Sequence, residues 1–356
     1  MQGTQAISNR RPCITVFSTG GTIASVPGGD QTAAAPTLTA EQLIAAVPQL
    51  TDIADITSIR FRQLPSSDLA LADIIALALD IEQAVASGAD GIIVTQGTDT
   101  LEETSFALSL LCGGDAPIVL TGAMRNPTLP GADGPANLLA AALVASSPAA
   151  HGLGALVVFN DEIHLPLFVR KTHTTSPATF RSALTGPIGW IVENRPRIAL
   201  RPALRHCIRL SSVPPEIPPV GLLTAALGDD GRLVPAFGSL GYQGLIVEAT
   251  GGGHVPRAMV DPLAELARHI PVILTSRTGT GEVLQTTYGF PGSETDLLGR
   301  GLIPAGMLDG PKSRLLLNLL LIAQPQAGRT PPDTIASAFA AIGVPGSRPA
   351  FRWPAA

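Results

Sequence analysis

The sequence predicts an α/β protein with a larger N-terminal parallel-sheet α/β domain and a second, smaller α/β domain. Three observations support this class. Apolar strand-like runs lack polar alternation, helical segments separate them, and a proline-rich segment interrupts the pattern once. Strands without alternation are typical of parallel sheets covered on both faces. The 356 residues provide enough interior for two domains.

The elements of the N-terminal domain alternate between strand and helix, as parallel neighbours require. Thr39 is a favourable cap for one helix, and Gly88 stops another. In chain order the predicted elements are strand 14–21, helix 39–50, helix 68–88, strand 91–96, helix 101–112, strand 117–124, helix 134–146 and strand 154–161.

A proline-rich segment separates the two domains. HCIRLSSVPPEIPPV (206–220) contains four prolines, which neither a helix interior nor a central strand accommodates. We therefore expect an N-terminal catalytic domain at 1–205, a linker at 206–219 and a C-terminal domain at 220–356. The C-terminal elements are predicted at 220–227, 244–250, 261–270, 271–277 and 313–324, with a short helix in DTIASAFAAIG near the end.

Composition limits the classes of function. No apolar run reaches the roughly 18 residues of a membrane span, and the N-terminal segment lacks the apolar region of a secretory signal. The net charge of −5 and the lack of a basic patch argue against a nucleic-acid partner. Three cysteines without CxxC spacing indicate reduced thiols and a cytoplasmic protein.

Four polar turns follow predicted strands or precede helices of the first domain. They are STGGTIAS (18–25), LPSSDL (64–69), QGTDT (96–100) and TGAMRNP (121–127). The Ser, Thr, Asp and Gly residues of any one of these turns are also typical of an ordinary helix cap or turn. Ligands of open α/β sheets bind beyond the carboxyl ends of the strands, so four such turns together predict a binding site there.

Lysine is scarce, since only Lys171 and Lys312 occur among 23 basic residues. Codon bias towards arginine explains the composition as a whole, and a surface lysine without a special role is the alternative for Lys171. However, a guanidinium does not give up its proton at working pH, whereas a buried ammonium can. A reaction that needs such a side chain as its base would therefore use lysine and not arginine.

Several motifs give the chain a family resemblance. TGGTIA (19–24), GTDTLEET (97–104), GAMR with ADGPANL (122–125, 132–138) and RKTHTTSPATF (170–180) occur in this order. The chain resembles the bacterial-type L-asparaginases over residues 14 to 324. The resemblance implies a cofactor-free and metal-free amidohydrolase. It would cleave the side-chain amide of L-asparagine to L-aspartate and ammonia by a threonine nucleophile.

The resemblance also implies site residues and an assembly. Its catalytic group is Thr22, Thr98, Asp99 and Lys171. Its substrate-binding residues are Ser66, Ser67, Gly97, Ala123, His254 and Glu294. Ser66 would hold the substrate α-carboxylate, Asp99 would bind the α-ammonium, and the backbone carbonyl of Ala123 would face the amide. His254 and Glu294 would reach the site of a neighbouring subunit, so we expect a homodimer or homotetramer.

The chain departs from the family pattern in three places. The loop after TGGTIA, SVPGGDQTAAAPTL (25–38), lacks the tyrosine that polarises the first threonine, and we consider Tyr288 as a substitute. Gln96 stands where many relatives have histidine. His254 stands where an asparagine is common. These changes leave glutamine, a larger amide or another amino-acid derivative open as the substrate.

Other classes of function are less compatible with the sequence. The six histidines show no metal-ligand spacing, and GxSxG, P-loop and GxGxxG motifs are missing. Two alternatives remain open. One is the amidase subunit of a tRNA-dependent amidotransferase, which we expect to carry an additional N-terminal module. The other is a non-catalytic amino-acid sensor. Ammonia release would separate a hydrolase from a sensor.

Overall fold

The computed structural model describes residues 10–27, 34–36, 39–203, 205–323, 332–344 and 346. Within them the strands are β1 (Cys13–Ser18), β2 (Ser25–Pro27), β3 (Ala34–Pro36), β4 (Asp55–Arg60), β5 (Gly91–Thr95), β6 (Ile118–Thr121), β7 (Ala155–Phe159), β8 (Glu162–His164), β9 (Arg170–Lys171), β10 (Phe180–Arg181), β11 (Gly189–Val192), β12 (Arg195–Ile198), β13 (Val220–Thr224), β14 (Gly244–Ala249), β15 (Val272–Ser276) and β16 (Ile303–Pro304). Parts of the loop that lacks the tyrosine, 28–33 and 37–38, lie outside the described residues.

Helices connect many of these strands, in agreement with the predicted α/β class. In the described residues they are α1 (Ala40–Ala45), α2 (Leu50–Ile53), α3 (Leu71–Ala86), α4 (Leu101–Leu111), α5 (Gly134–Ala145), α6 (Val234–Ser239), α7 (Arg257–Ala267), α8 (Glu294–Gly299), α9 (Gly310–Ile322) and α10 (Pro332–Gly343). Short 3₁₀ turns lie within the site motifs at Thr22–Ala24, Ser66–Asp68 and Thr98–Thr100. No helix of this described part is long and apolar enough to cross a membrane.

The chain divides into two compact units. The first contains the described residues up to Leu69 together with Leu79–Ser105 and Gly114–Arg201. The second contains Ala70–Ala78, Phe106–Gly113 and the described residues from Pro202 onward. Each unit has its own sheet, so the predicted combination of a large and a smaller α/β domain is confirmed.

The first unit is built on an eight-stranded sheet of the described residues, in the order β12-β11-β8-β7-β6-β5-β1-β4. Strands β4, β1, β5, β6 and β7 are parallel, whereas β8, β11 and β12 extend the sheet in antiparallel fashion. The parallel core is buried along the whole of β5, β6 and β7. The polar turns at the ends of these strands are therefore supported by a rigid apolar base.

Two helices of the first unit show how local sequence sets their ends. Thr39 caps α1 as predicted, because its hydroxyl accepts from the Gln42 N–H while the Gln42 side chain accepts from the Thr39 N–H. The predicted helix 39–50 is nevertheless split. It stops at Ala45 because Pro48 disfavours helical backbone before it, and α2 begins at Leu50.

The second unit contains a parallel sheet of four strands in the described residues, ordered β13-β14-β15-β16. Helix α7 begins at Arg257, four residues before the start that the sequence predicted. Met259 and Val260 explain the earlier start, since both are buried in the apolar core of this unit. Pro262 lies inside the helix and removes one backbone donor from it.

Candidate active site

The predicted site motifs lie at one edge of the first sheet. Strand β1 pairs in parallel with both β4 and β5, and β5 pairs in parallel with β6. The segments that follow β1, β5 and β6 therefore emerge on the same side. They carry the TGGTIA, GTDT and TGAMR motifs. Among the predicted site residues of this region, Ser66, Thr98 and Ala123 are buried.

Close backbone contacts at two glycines bring three of these turns together. Gly21 has φ of +88°, and a Cβ atom built on it would lie 2.1 Å from the Gly97 backbone nitrogen. A Cβ atom on Gly97 would lie 2.8 Å from the Ser66 hydroxyl oxygen. Side chains larger than hydrogen do not fit at either position. Thr22, which follows Gly21 and is half-buried, thus lies beside the Gly97 turn.

The turn after β6 joins the same cluster. A Cβ atom on Gly122 would lie 2.4 Å from the Gln96 carbonyl oxygen and 3.4 Å from a methyl carbon of Thr98. A Cβ atom on Gly134 would lie 3.0 Å from a side-chain carbon of Ile23. Ala123 is therefore adjacent to the threonine-bearing turns.

Lys171 makes the central polar contact. Its ammonium nitrogen lies 2.9 Å from Thr98 Oγ1 and 2.5 Å from Asp99 Oδ1. The Lys171 side chain is 15% exposed, whereas that of Asp99 is 70% exposed and Thr98 is buried. The structure thus brings together Thr98, Asp99 and Lys171, although more than 70 residues separate Lys171 from the other two in sequence.

The geometry of this contact defines what the group can do. Lys171 donates to the Thr98 oxygen and to the Asp99 carboxylate. A lysine that is to accept the threonine proton must first pass one of its own protons on, and Asp99 is an acceptor within hydrogen-bonding distance. Because Asp99 is largely exposed, a cationic ligand group can reach its carboxylate from solvent.

A chain of hydrogen bonds links the Ser66 turn to the same strand end. Gln96 Nε2 donates to Thr100 Oγ1 at 3.2 Å, and Thr100 Oγ1 donates to the Ser66 carbonyl at 2.9 Å. Gln96 is fully buried. Ser67 is exposed, and its hydroxyl lies 3.4 Å from Asp68 Oδ1. Thr100 therefore holds the turn that carries Ser66.

Asp133 and Asn137 of the ADGPANL motif are two further residues at the site, and the motif itself predicted no role for them. The Asp133 carboxylate accepts from the backbone N–H groups of Met124 and Arg125 at 2.9–3.1 Å. Asn137 donates to the Gly122 carbonyl at 3.0 Å. These bonds fix the turn that contains Ala123. The signal that could have found them is an Asp next to a helix start after a Gly-rich turn.

The second unit contains the other two predicted residues, His254 and Glu294, in direct contact. His254 Nε2 lies 3.1 Å from Glu294 Oε2, and the Glu294 side chain is fully buried. Burial acts to raise the pKa of Glu294. The backbone N–H groups of Tyr288, Glu294 and Thr287, together with His254, outweigh burial and hold that pKa below its usual value.

Tyr288, the residue considered as a replacement for the loop tyrosine, packs on this pair. Its ring meets the His254 ring edge to face, with centroids 5.0 Å apart, and its side chain is about half exposed. Phe290 packs edge to face against the same histidine. Tyr288 is therefore a surface member of an aromatic cluster, and its role in catalysis stays a prediction.

The described residues contain no group of three or more His, Cys, Asp or Glu side chains arranged to hold a metal ion. The expectation of a reaction without metal or cofactor stays a prediction.

Comparison with known proteins gives consistent matches over both units. A family model described as the N-terminal domain of asparaginase matches residues 13–204. A second model, described as the C-terminal domain of glutaminase/asparaginase, matches residues 219–330. L-asparaginase 2 of Escherichia coli strain K12 is 35% identical over 322 residues, covering 87% of this chain and 89% of that protein.

A solved structure and a second type of relative extend the comparison. The crystal structure of a probable cytoplasmic L-asparaginase from Campylobacter jejuni superposes with a TM-score of 0.83 at 31% identity, covering 92% of this chain and 99% of that chain. A glutamyl-tRNA(Gln) amidotransferase subunit from Methanobrevibacter smithii is 33% identical, covering 83% of this chain and 68% of that protein. Fold, site and matches define an amidohydrolase of the asparaginase/glutaminase type. The chain belongs to the bacterial-type L-asparaginase family.

Proposed function

We propose that the protein hydrolyses the side-chain amide of L-asparagine to L-aspartate and ammonia, with a threonine hydroxyl as the nucleophile. The observation that carries the proposal is the contact of the Lys171 ammonium with Thr98 Oγ1 at 2.9 Å and with Asp99 Oδ1 at 2.5 Å. A hydroxyl, an amine and a carboxylate in one contact are the groups needed to activate an alcohol for attack on an amide.

The reaction requires activation because an amide is a poor electrophile and a threonine hydroxyl is a weak nucleophile. In the proposed sequence Lys171 passes a proton through Asp99 to solvent, which leaves the Asp99 carboxylate ionised, and then accepts the hydroxyl proton of Thr98. Thr22 lies on the neighbouring turn and carries the second hydroxyl that can attack. The hydroxyl oxygen of one of these two threonines attacks the amide carbon, the carbon–nitrogen bond breaks, and Lys171 returns the proton to the departing nitrogen, which leaves as ammonia. Water then hydrolyses the resulting ester, which releases aspartate and restores the threonine hydroxyl.

We assign substrate recognition to the surrounding turns. Ser66, with Ser67 and Gly97 beside it, binds the α-carboxylate, and the exposed Asp99 carboxylate binds the α-ammonium. The backbone carbonyl of Ala123 receives the amide N–H. These assignments are supported by the close approach of the Gly21, Gly97 and Gly122 turns.

We further propose that the enzyme works as a homodimer or homotetramer in which His254 and Glu294 complete the site of a neighbouring subunit. This part of the proposal is supported by the contact between the His254 and Glu294 side chains in the second unit. We assign the protein to the cytoplasm. This assignment is supported by the three widely spaced cysteines, which form no disulfide, and by the name of the Campylobacter jejuni relative.

A coupled ammonia assay tests the proposal. We expect L-asparagine to be hydrolysed in preference to L-glutamine, D-asparagine and β-aspartyl dipeptides, and Thr98→Ala to abolish the release. If L-glutamine were hydrolysed in preference to L-asparagine, the proposed substrate would be wrong. Binding of asparagine or aspartate without ammonia release would indicate a sensor.

An amidotransferase subunit is the second candidate, because one relative carries that function in its name. Co-purification of the untagged chain from its native cell extract separates the two. A stoichiometric second subunit and amidation of a charged tRNA with nitrogen taken from an amide donor would favour the amidotransferase. A homo-oligomer with free ammonia release would favour the asparaginase.

A further inference from the structure

The strand that carries Lys171 is very short. Strands β9 and β10 contain two residues each and pair in antiparallel fashion, with Phe180 opposite Lys171 and Arg181 opposite Arg170. An isolated two-stranded hairpin is marginally stable at best. The position of Lys171 therefore depends on contacts that the hairpin makes with other elements of the first unit.

The β10 side of the hairpin is anchored to the sheet. The Phe180 ring packs on the Phe159 ring of β7 with centroids 4.9 Å apart, and both side chains are buried. Just beyond β10, the Ser182 hydroxyl lies 3.0 Å from Nδ1 of the buried His164 in β8. These contacts fix β10, but they do not touch the Lys171 backbone.

The β9 side is held by Glu102. Its carboxylate accepts the backbone N–H of Lys171. Glu102 lies in the first turn of α4, four residues after Thr98, which begins the 3₁₀ turn leading into that helix. The segment from Thr98 to Glu102 therefore contacts Lys171 at two points. Glu102 accepts from its backbone N–H, and Thr98 and Asp99 accept from its ammonium.

We propose that Glu102 is a positioning residue for the amide hydrolysis. It holds the Lys171 backbone so that the ammonium reaches the Thr98 hydroxyl. Without this hold, the two-residue strand lets the amine move away from Thr98. The inference rests on the proposed function for its kinetic consequence, whereas the position of Lys171 can be measured separately.

The kinetic experiment compares three variants in the ammonia assay. We expect Glu102→Ala to lower kcat about 100-fold, the loss typical of an ångström-scale displacement, with KM changed by less than about threefold. Glu102→Gln keeps a side-chain oxygen acceptor and should stay within about tenfold of the wild type in kcat. Glu103→Ala, in the same helical turn, is the matched control and should keep its kcat. An unchanged kcat in Glu102→Ala, or a Gln variant as slow as the Ala variant, would overturn the proposal.

A spectroscopic readout makes the test independent of turnover. The chain contains only two lysines, so protein labelled with ¹³C at lysine Cε gives two lysine signals, and Lys171→Met assigns them. In Glu102→Ala the Lys171 signal should move towards that of free lysine and sharpen, while the Lys312 signal stays in place. A Lys171 signal that does not move would contradict the proposal even if the wild type releases no ammonia. Failure of the wild type in the ammonia assay alone would count against the proposed function and not against the role of Glu102.

Discussion

Each unit contains a carboxylate in contact with a nitrogen-bearing side chain, Asp99 with Lys171 in the first unit and Glu294 with His254 in the second. The two carboxylates differ in their exposure and in the number of groups that donate to them. The Asp99 carboxylate, 70% exposed, contacts Lys171 at 2.5 Å. The Glu294 carboxylate is fully buried and accepts from the Thr287 and Tyr288 backbone as well as from His254. An exposed carboxylate can exchange its partner for a ligand. A buried carboxylate with several donors holds its surroundings in place.

The difference predicts which property a substitution changes first, turnover or folding stability. Substitution on the Lys171 side should affect turnover more than stability. Substitution on the Glu294 side should affect stability first. Three experiments test this contrast and a fourth tests the buried His164, and they are given from the largest expected effect to the smallest.

Removing the amine should have the largest effect. Lys171→Met retains the aliphatic stem but loses the nitrogen that contacts Thr98, so we expect kcat to fall about 10³-fold, within the range of general-base losses. Steady-state ammonia release measures the change. Arg170→Gln, one residue earlier in β9, is the control and should remain within about threefold of the wild type. A Lys171→Met enzyme with kcat near the wild-type value would remove the lysine from the mechanism.

The next effect concerns stability at low pH and the histidine that anchors β10. Burial and the nearby Arg181 guanidinium lower the pKa of His164 from 6.5 to about 4. Glu162 Oε2 lies 3.3 Å from Nε2 without forming a hydrogen bond, and its charge is partly offset by Arg181 at 3.8 Å. The unfolded ring takes up a proton near pH 6.5 and the folded ring only near 4. Stability should therefore fall by about 3 kcal/mol as the pH decreases between these values.

Urea unfolding at pH 7, 6, 5 and 4.5 measures this contribution. His164→Asn removes the titrating ring and should give a flatter dependence of the unfolding free energy on pH over the same interval. Parallel curves for the two proteins would show that His164 does not titrate as its buried environment requires.

Asp99→Asn should separate binding from folding. The neutral amide loses its attraction for a substrate ammonium, so KM for asparagine should rise roughly 50-fold, a loss of about 2.3 kcal/mol. The unfolding free energy should change by less than about 1 kcal/mol, because the carboxylate is mostly exposed. Kinetics and urea unfolding of one protein preparation give both numbers. A large loss of stability with unchanged KM would reverse the contrast between the two pairs.

Glu294→Leu should show the opposite pattern. Leucine leaves the backbone N–H groups of Thr287 and Tyr288 without their acceptor, so we expect a loss of about 2 kcal/mol in unfolding free energy. Glu294→Gln keeps one acceptor and should lose less. Thermal and urea unfolding measure the change. Two variants as stable as the wild type would mean that this carboxylate does not hold the segment together.

The sequence predicted most of the large elements because their signals are local. Buried strands such as β5 and helices with clear caps, such as α1 at Thr39, follow from apolar runs and capping residues. The grouping of Thr98, Asp99 and Lys171 was predicted from the resemblance of their motifs to a family, and in the structure Lys171 contacts the other two side chains.

Other features carry no local signal. Strands β9 and β10 contain two residues each, too few for a periodic pattern. The bond between Glu102 and the Lys171 backbone joins residues 69 positions apart. The predicted start of α7 at residue 261 was wrong, because burial of Met259 and Val260 extends the helix towards its N-terminus. Tertiary packing decides such cases.

The most direct test of the central claim is to trap the acyl-enzyme. Acid-quenched wild-type protein, mixed with L-asparagine for less than one turnover, should carry an aspartyl mass increment on Thr98 or Thr22 after peptide mapping. Lys171→Met protein treated in the same way should show no increment. Equal adduct formation in the two proteins would contradict the account, and so would ammonia release without any threonine adduct.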